Sequence, residues 1–272
     1  MLQEAGRQVI AVDMEAGNGV LAIDDDAAMK ESIAGASVIM LCIPANATLT
    51  QGPRLAEMAG PNSVMVDIAS VKADVVNMWT QLCERHSIGA VSIHPMFAPS
   101  VPVHRRNTIA IPITGGEAEH RFIDFLRAGG SSIHVMGVES HDRMTAVTQA
   151  ACHAALFAFL HTAASSGITV QEFRQAETPI SRALLSMATR FLNVDQRLSL
   201  SIQRAGQSRG SERLSSAIAQ LDEVTATNDQ AAWESSLAEL REWVGEESEE
   251  CLRVAAQIAS LGEQEAELTQ AP

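Results

Sequence analysis

The sequence predicts two domains: an α/β domain with a doubly wound parallel sheet over residues 1–137, and an all-α domain over residues 138–272. In the first range, short and continuously apolar runs alternate with helical segments, as expected where helices connect buried parallel strands. From residue 139 onward, apolar residues recur every three or four positions, which is the period of a helix. At 272 residues the chain is long enough for two ordinary domains.

The elements of the α/β domain follow from these runs and from the turn signals between them. The run Val38-Ile39-Met40-Leu41 is typical of a strand buried on both faces, and Asp24 to Asp26 would cap the preceding helix. Pro112 predicts an edge position for its strand, because proline cannot donate a hydrogen bond to a neighbouring strand. The predicted strands are 7–13, 37–44, 63–68, 90–93, 107–113 and 131–136, and the predicted helices are 24–34, 48–59, 73–86 and 115–128.

The first predicted strand ends in Asp13, and dinucleotide-binding folds use an acidic residue in this position to bind a ribose hydroxyl. Such folds begin with an earlier strand and a G-x-G-x-x-G loop, whose amides bind the pyrophosphate. Gly17-Asn18-Gly19 follows the wrong strand to replace that loop. We therefore expect a Rossmann-like sheet with an incomplete N-terminus: either the natural protein starts upstream of Met1, or this chain lacks a pyrophosphate cradle.

His94 lies at the end of a predicted strand, in Val91-Ser92-Ile93-His94-Pro95. Open α/β sheets bind ligands at the carboxyl ends of their strands, and a histidine there can accept a proton near neutral pH. The alternative is a histidine that shapes the turn through a hydrogen bond to a nearby carbonyl. For an isolated His-Pro the structural role is the commoner one; the remainder of the chain favours the catalytic role.

Polar residues interrupt the long apolar helix that is predicted over residues 139–164. Asp142, Gln149 and His153 are spaced by seven and then four residues, so at 3.6 residues per turn they would share one face. Buried polar side chains are costly without partners. These three residues therefore form either a hydrogen-bonded seam between helices or one wall of a polar pocket.

A second helix, predicted over residues 179–192, carries Arg182 and Arg190. An arginine can bind a carboxylate through two parallel hydrogen bonds, although an exposed arginine that covers apolar surface is the commoner case. Farther along the chain, an apolar stripe predicts helices that pack in a core or against a second subunit. Its residues are Trp233, Leu237, Leu240, Val244, Cys251, Ala255 and Ile258.

Charge and cysteine content limit the possible partners. The net charge is −14, and residues 211–272 contribute −11 of it through 14 acidic and 3 basic residues. Nucleic acids and anionic membranes are therefore unexpected partners. The four cysteines show no C-x-x-C spacing, which predicts neither a metal site nor a disulfide framework and fits a cytoplasmic location. We expect no signal peptide before the fold, and no apolar run reaches the roughly 18 residues that span a bilayer.

Four stretches together resemble the prephenate dehydrogenase family in order and spacing, between about residues 7 and 258. They are Asp67-Ile68-Ala69-Ser70-Val71-Lys72; His94-Pro95-Met96-Phe97-Ala98-Pro99; Ser140-His141-Asp142 with Gln149 and His153; and Thr178-Pro179-Ile180-Ser181-Arg182 continuing to Arg190. Ala98 replaces a glycine that is common in the family. The resemblance implies NAD(P)-dependent oxidative decarboxylation of prephenate to 4-hydroxyphenylpyruvate, in the biosynthesis of tyrosine or a tyrosine-derived metabolite. The apolar stripe of the helical domain, described above, favours a homodimer formed through that domain.

The resemblance also implies roles for individual residues. His94 would take the proton of the substrate's 4-hydroxyl group, and Ser70 would position both groups. The implied substrate-binding residues are Arg190, which would bind a carboxylate, and Arg182, His153, Gln149 and Asp142, which would line the pocket. The implied cofactor-binding residues are Asp13, Pro44, Ser70 and Lys72. An acid at Asp13 favours NAD over NADP, because it would repel the 2′-phosphate of NADP.

Three alternatives remain open. The substrate could be arogenate or 4-amino-4-deoxyprephenate, although His94 favours a hydroxyl-bearing substrate. The chain could be a non-catalytic dimeric relative that lacks the cofactor loop, but the retained Ser70, His94, His153 and Arg190 argue against this. A hydroxyacid dehydrogenase of the 6-phosphogluconate type would need a catalytic lysine on the helix at 139–164, and that segment contains none.

Overall fold

The fold is that of a computed structural model, which describes residues 6–14, 20–98 and 101–269. Gly17-Asn18-Gly19 and Pro99, named above, lie outside the described residues. The chain divides into two compact units, Met1–Met144 (unit 1) and Thr145–Pro272 (unit 2). This division falls after Met144 rather than after the predicted Gly137, so most of the first helix beyond the sheet is grouped with unit 1.

Unit 1 is an α/β unit in which strands and helices alternate. Its strands are β1 (Ala11–Asp13), β2 (Val20–Ala22), β3 (Val38–Leu41), β4 (Val64–Asp67), β5 (Gly89–Pro95), β6 (Asn107–Pro112) and β7 (Ser132–Val135). Its helices are α1 (Asp26–Ala34), α2 (Ala45–Met58), α3 (Ala73–His86), α4 (Glu117–Ala128) and α5 (Val138–Thr145). The α/β sheet followed by a helical unit confirms the predicted fold class.

The strands form two sheets in the described part of unit 1. β1 pairs with β2 in parallel, and the five remaining strands are ordered β3-β4-β5-β6-β7. β3, β4 and β5 are parallel, as expected, but β6 runs antiparallel to β5. The first strand is shorter than predicted, because pairing begins only at Ala11.

The edge position that Pro112 predicted for β6 is wrong, since β6 lies between β5 and β7. Pairing with β7 ends at Ala110, whereas pairing with β5 continues to Pro112 opposite Val91. Proline is therefore tolerated because it stands beyond the last residue of β6 that pairs with β7.

The five-stranded sheet separates two apolar layers. Met65 and Ala90 pack with Trp79 and Leu82 of α3 on one face. Their strand neighbours Val66 and Val91, together with Ile93, pack with Phe122 and Leu126 of α4 on the other. Strand residues alternate between faces, so burial on both faces explains the continuously apolar runs in the sequence.

Unit 2 is helical. Beyond α5 it contains a π-helical segment (Ala146–Ala151), α6 (Cys152–Ser165), α7 (Val170–Gln175), α8 (Pro179–Leu192), α9 (Gln196–Gly206), a second π-helical segment (Gln207–Ser211), α10 (Glu212–Thr227), α11 (Gln230–Val244) and α12 (Ser248–Thr269). Thr178 caps α8 by accepting a hydrogen bond from Ser181 N, at 3.2 Å. None of the described helices is long and apolar enough to cross a membrane.

The two π-helical segments pack closely together. A Cβ on Gly210 would lie 2.0 Å from the carbonyl oxygen of Ala146, and one on Gly206 would lie 2.3 Å from Cβ of Ala150. Gln203 donates a hydrogen bond from Nε2 to the Ala150 carbonyl, at 2.9 Å. The predicted single helix over 139–164 is thus interrupted, and the 3.6-residue period that placed Asp142 and Gln149 on one face does not hold through residues 146–151.

Candidate active site

The carboxyl ends of the parallel strands carry most of the residues singled out in unit 1. Pro44 follows β3 and precedes α2, Ser70 follows β4, and His94 is the penultimate residue of β5. Because β3, β4 and β5 are parallel neighbours, these ends lie along one edge of the sheet. This edge is where open α/β sheets bind their ligands.

His94 is the first member of a buried hydrogen-bonded series. Its Nδ1 lies 2.9 Å from Nε2 of His141, and Nδ1 of His141 lies 2.8 Å from Oδ1 of Asp142. The His141 side chain is fully buried and that of Asp142 is about one third exposed, at 31 %. The two histidine rings are tilted by 48° with centroids 5.2 Å apart. His141 thus links His94 to the partly exposed carboxylate of Asp142.

The surroundings of His94 keep its imidazole neutral. Burial, together with the nearby Lys72 ammonium and His141, lowers its pKa to about 3, and burial is the largest of these causes. A neutral imidazole has one nitrogen lone pair, so at physiological pH His94 can accept a hydrogen bond or a proton. An anionic substrate bound beside it would raise this pKa and make it a stronger base.

A buried ion pair supports the strand ends next to His94. Asp67 Oδ1 accepts hydrogen bonds from Lys72 Nζ at 3.1 Å and from Ala69 N at 3.0 Å, and Oδ2 accepts one from Trp79 Nε1 at 2.9 Å. Lys72 Nζ also donates to the carbonyl of Ile93, at 2.6 Å. Desolvation lowers the pKa of Lys72, and Asp67 opposes that effect.

This arrangement corrects the cofactor-binding role predicted for Lys72. Its side chain is fully buried, and its ammonium is bound by the Asp67 carboxylate and by the backbone carbonyl that precedes His94. A lysine that binds a cofactor phosphate needs its ammonium at the surface of the site. Lys72 instead links β4, the start of α3 and β5, and so holds the end of β5 in place.

A second buried carboxylate fixes the other end of β5. Glu119 of α4 accepts hydrogen bonds from the amide of Ala90 at 2.9 Å, from the Thr114 hydroxyl at 2.7 Å and from the Gly115 amide at 2.8 Å. β5 is thereby held at its beginning by Glu119 and near its end by Lys72. A base needs such fixed geometry to meet a reacting group at hydrogen-bond distance.

In unit 2, His153 and Arg190 have side chains that can serve a ligand. The His153 ring packs on Phe191, with centroids 5.1 Å apart, and desolvation lowers its pKa. Its Nδ1 is buried and has no hydrogen-bond partner within the described ranges. Arg190, in the last turn of α8, is exposed and forms no ion pair with any residue that the structure describes.

Arg182 and Gln149 differ from His153 and Arg190 in their surroundings. Arg182 forms an ion pair with Glu177, donating from Nε at 2.6 Å, so an internal carboxylate already holds its guanidinium. Gln149 lies in the first π-helical segment, whose packing on Gly206 and Gly210 fixes the backbone there. The substrate-binding roles of both residues remain predictions.

The chemistry of Asp13 fits the adenosine end of a dinucleotide. Asp13 ends β1, is exposed, and accepts a hydrogen bond from Met14 N through Oδ1 at 2.7 Å. An exposed carboxylate at a strand end can accept hydrogen bonds from ribose hydroxyls. Among the residues that the structure describes, no group of three or more His, Cys, Asp or Glu could hold a metal ion, and all four cysteines are free.

Sequence reasoning missed two residues of this edge. His141 lies within one of the stretches that resemble the prephenate dehydrogenase family, and Asp67 is the first residue of another. The sequence patterns alone gave neither residue a role. The adjacent His141-Asp142 pair was the available signal, because a histidine next to a carboxylate can have its tautomer fixed. Its spatial link to His94, 47 residues earlier, has no sequence signal.

Comparison with known proteins relates the first part of the chain to a nucleotide-binding domain. Residues 1–106 match the family model described as prephenate dehydrogenase, nucleotide-binding domain. Over these residues, which are less than half of the chain, the sequence is similar to that family. The match ends beyond His94 and within unit 1, so it includes Asp13, Pro44, Ser70 and the base candidate itself.

Individual proteins that are similar to this chain agree with the match. The 4-amino-4-deoxyprephenate dehydrogenase of Streptomyces pristinaespiralis is 27% identical over 84% of this chain and 77% of its own length. A probable arogenate/prephenate dehydrogenase of Methanocaldococcus jannaschii is 23% identical over 74% of this chain, which spans 47% of that relative. The fold resembles that of A. aeolicus prephenate dehydrogenase in complex with hydroxyphenyl propionate and NAD+, with a TM-score of 0.68, 14% identity and 91% of each chain covered.

Proposed function

We propose that this chain is an NAD-dependent oxidoreductase that converts prephenate to 4-hydroxyphenylpyruvate by oxidative decarboxylation. The observation that carries the proposal is His94: a neutral, buried imidazole at the carboxyl end of β5, whose Nδ1 is bound by His141. A base in that position can serve a hydroxyl group that becomes a carbonyl during hydride removal. The similarity of residues 1–106 to the nucleotide-binding domain of prephenate dehydrogenases supports the choice of reaction.

The proposed step uses His94 as a proton carrier. As the ring carbon that bears the hydroxyl loses a hydride, the O–H bond breaks and His94 takes the proton, leaving a carbonyl. The bond from the ring to the carboxylate then breaks and carbon dioxide leaves. The electron pair of the broken bond stays in the ring and makes it aromatic. The phenol oxygen regains a proton, which His94 can return. NAD, when bound, supplies the hydride acceptor.

Other residues have proposed binding roles. Arg190 binds a substrate carboxylate, because an exposed guanidinium without an internal ion pair is available for a bidentate interaction. His153, Gln149, Asp142 and Arg182 contribute further polar contacts, and Ser70 positions His94 and the hydroxyl group. Asp13 binds the adenosine ribose of NAD and disfavours the 2′-phosphate of NADP, and Pro44 borders the cofactor at the end of β3.

A second candidate substrate is 4-amino-4-deoxyprephenate. A relative that is named for this substrate is 27% identical over 84% of the chain. A neutral His94 can accept a hydrogen bond from an amino group as well as from a hydroxyl group. Arogenate, which keeps the hydroxyl group but carries an amino group on its side chain, is the third substrate to compare.

The test is a direct assay of the purified chain. Prephenate, arogenate and 4-amino-4-deoxyprephenate are each mixed with NAD and then with NADP, and reduced nicotinamide and carbon dioxide are measured. We expect the highest kcat/KM with prephenate and NAD. A higher kcat/KM with 4-amino-4-deoxyprephenate would assign that compound, and not prephenate, as the substrate. A folded protein that reduces neither cofactor with any of the three substrates would refute the proposed function.

We also propose that the chain forms a homodimer through unit 2. On α8, Ile180, Leu184 and Met187 are spaced by four and three residues and are 75%, 39% and 52% exposed. On α11, Leu240 and Trp243 are also exposed. Exposed apolar side chains of this kind favour association. Sedimentation equilibrium should give twice the chain mass for the wild type and the chain mass for Ile180→Glu/Met187→Glu; a monomeric wild type would refute the dimer.

A cytoplasmic location is the remaining proposal. It is supported by the four cysteines, which are free in the structure, as expected in a reducing compartment. Fractionation of the producing cells, with the assay above as readout, tests it; recovery of the activity outside the cytoplasm would contradict it.

A further inference from the structure

We propose that His141 and Asp142 are positioning residues that fix the tautomer of His94, so that its Nε2 carries the lone pair that receives the substrate proton. The proposal deepens the proposed function, because it explains how His94 presents the correct nitrogen. It depends on two contacts within unit 1, His94 Nδ1 to His141 Nε2 at 2.9 Å and His141 Nδ1 to Asp142 Oδ1 at 2.8 Å.

The direction of each hydrogen bond follows from the last acceptor. An ionised carboxylate can only accept, so Asp142 requires the proton of His141 to lie on Nδ1. Nε2 of a neutral His141 is then a lone pair, and it requires the proton of His94 to lie on Nδ1. Nε2 of a neutral His94 is consequently unprotonated. Two contacts and one carboxylate thus determine which nitrogen of His94 is basic.

The same series predicts what disrupts the base. If His141 took a second proton, its Nε2 would become a donor, His94 Nδ1 would have to accept, and the His94 proton would move to Nε2. A base with its proton on the reacting nitrogen cannot take another from the substrate. Burial and the nearby Lys72 ammonium favour a neutral His94. Asp67 and Asp142 are the carboxylates that act on Lys72.

The orientation of His94 depends on the same contacts. His141 is fully buried on α5, whereas His94 belongs to β5, so the hydrogen bond joins the helix to the end of the sheet. Lys72 holds the Ile93 carbonyl on the other side of this strand end. The His94 ring is therefore restrained through its backbone by Lys72 and through Nδ1 by His141.

Two substitutions of His141 separate tautomer control from packing. His141→Met removes the acceptor but keeps a side chain of similar length, whereas His141→Gln keeps an amide oxygen where Nε2 now accepts. We expect His141→Met to lower kcat by about 100-fold with KM changed by less than about threefold, and His141→Gln to restore kcat to within about tenfold of the wild type. Equal kcat in both variants would overturn the proposal.

Asp142→Asn tests whether the Asp142 carboxylate sets the direction of the two hydrogen bonds. An asparagine amide can donate to Nδ1 of His141, which would move the His141 proton to Nε2 and reverse both hydrogen bonds. Loss of the equivalent carboxylate in the serine protease triad acts in this way and costs about 10⁴-fold in kcat. Because Asp142 is partly exposed, we expect a loss of roughly 10- to 100-fold and a shifted pH profile of kcat. Unchanged kcat and pH profile would overturn the role of Asp142.

Nuclear magnetic resonance of the ring nitrogens gives a readout that does not require activity. The chain has eight histidines, and the His94 signals are assigned by their absence in His94→Gln. In the folded, substrate-free wild type we expect a proton on Nδ1 of His94 and none on Nε2, with loss of this pattern in His141→Met and its retention in His141→Gln. A proton on Nε2 in the wild type would overturn the proposal, whereas an inactive protein with the expected pattern would refute only the proposed function.

Discussion

Units 1 and 2 of the chain differ most in what they bury. In unit 1, Trp79, Met65 and Ile123 are fully buried, and so are the charged residues Asp67, Lys72 and Glu119. In unit 2 the buried residues among those described are mostly small, such as Ala150 and Ala188. Large apolar residues there remain at the surface, with Phe157 59% and Trp243 83% exposed.

This difference separates two ways of supporting a site. Unit 1 holds each buried charge with several hydrogen bonds, because an unpaired charge away from water would be too costly. Its base is therefore fixed by its own core. Unit 2 brings helices together through glycine and alanine contacts and leaves large apolar side chains exposed. The proposed base is thus held by buried contacts in unit 1, whereas the groups that we propose for binding and association in unit 2 are exposed.

The largest expected effect is on the chemical step in unit 1. His94→Asn should lower kcat by about 10²- to 10⁴-fold and change KM little, because it removes the proton acceptor but not the proposed carboxylate contact. Steady-state kinetics with prephenate and NAD measure it. His120→Asn, at an exposed histidine of α4, is the matched control and should leave kcat unchanged. Equal kcat in His94→Asn and the wild type would remove His94 from the mechanism.

The next effect concerns the fully buried charges of unit 1. Asp67→Ala leaves the Lys72 ammonium and the Trp79 indole without their acceptor, and we expect the free energy of unfolding to fall by about 3–5 kcal/mol. Urea denaturation followed by Trp79 fluorescence, in a Trp233→Phe/Trp243→Phe background, reports on unit 1.

A matched substitution in unit 2 completes that comparison. Glu250→Ala removes the partner of Arg253 in an ion pair whose two side chains are more than half exposed, and it should cost less than about 1 kcal/mol. Similar losses for Asp67→Ala and Glu250→Ala would show that the two units do not differ in the way we describe.

A smaller effect is expected on substrate binding in unit 2. Arg190→Gln should raise the KM for prephenate by roughly 10- to 100-fold and leave kcat nearly unchanged, because a charge-assisted pair with a substrate carboxylate is lost. Arg253→Gln, which removes another partly exposed arginine of unit 2, serves as the control. A change in kcat without a change in KM would assign Arg190 to the chemical step instead.

The last effect is a pH dependence of the free energy of unfolding to which His94 of unit 1 contributes. Its pKa is about 3 in the folded chain and 6.5 ordinarily, so below pH 6.5 the unfolded state binds a proton that the folded state excludes until about pH 3. The free energy of unfolding should therefore fall as pH decreases through this window, by up to about 1.4 kcal/mol per pH unit from this group. Urea denaturation at pH 6.5, 5.5 and 4.5 should show a shallower fall for His94→Gln; parallel curves would contradict the low pKa.

Several elements could be predicted from the sequence because their signals are local. The helix over residues 73–86 and the helix over 179–192 were predicted with the bounds that the structure has, since apolar periodicity and flanking turn residues mark both. The strand containing Val38 to Leu41 was predicted from its apolar run. The direction and place of β6 were not, because pairing partners are chosen between distant segments and Pro112 carried a misleading local signal.

The residue types at the site were determined by the sequence: a histidine at a strand end, an acid after the first strand, arginines on a helix. The tertiary structure decided which of them work together. It bound Lys72 to Asp67 inside the core and linked His94 to the His141-Asp142 pair. Sequence patterns encode the period and polarity of a segment, whereas a hydrogen bond depends on two atoms that lie about 3 Å apart after distant segments have packed. That is why His94 could be proposed as a base from the sequence, whereas its contact with the His141-Asp142 pair could not be predicted.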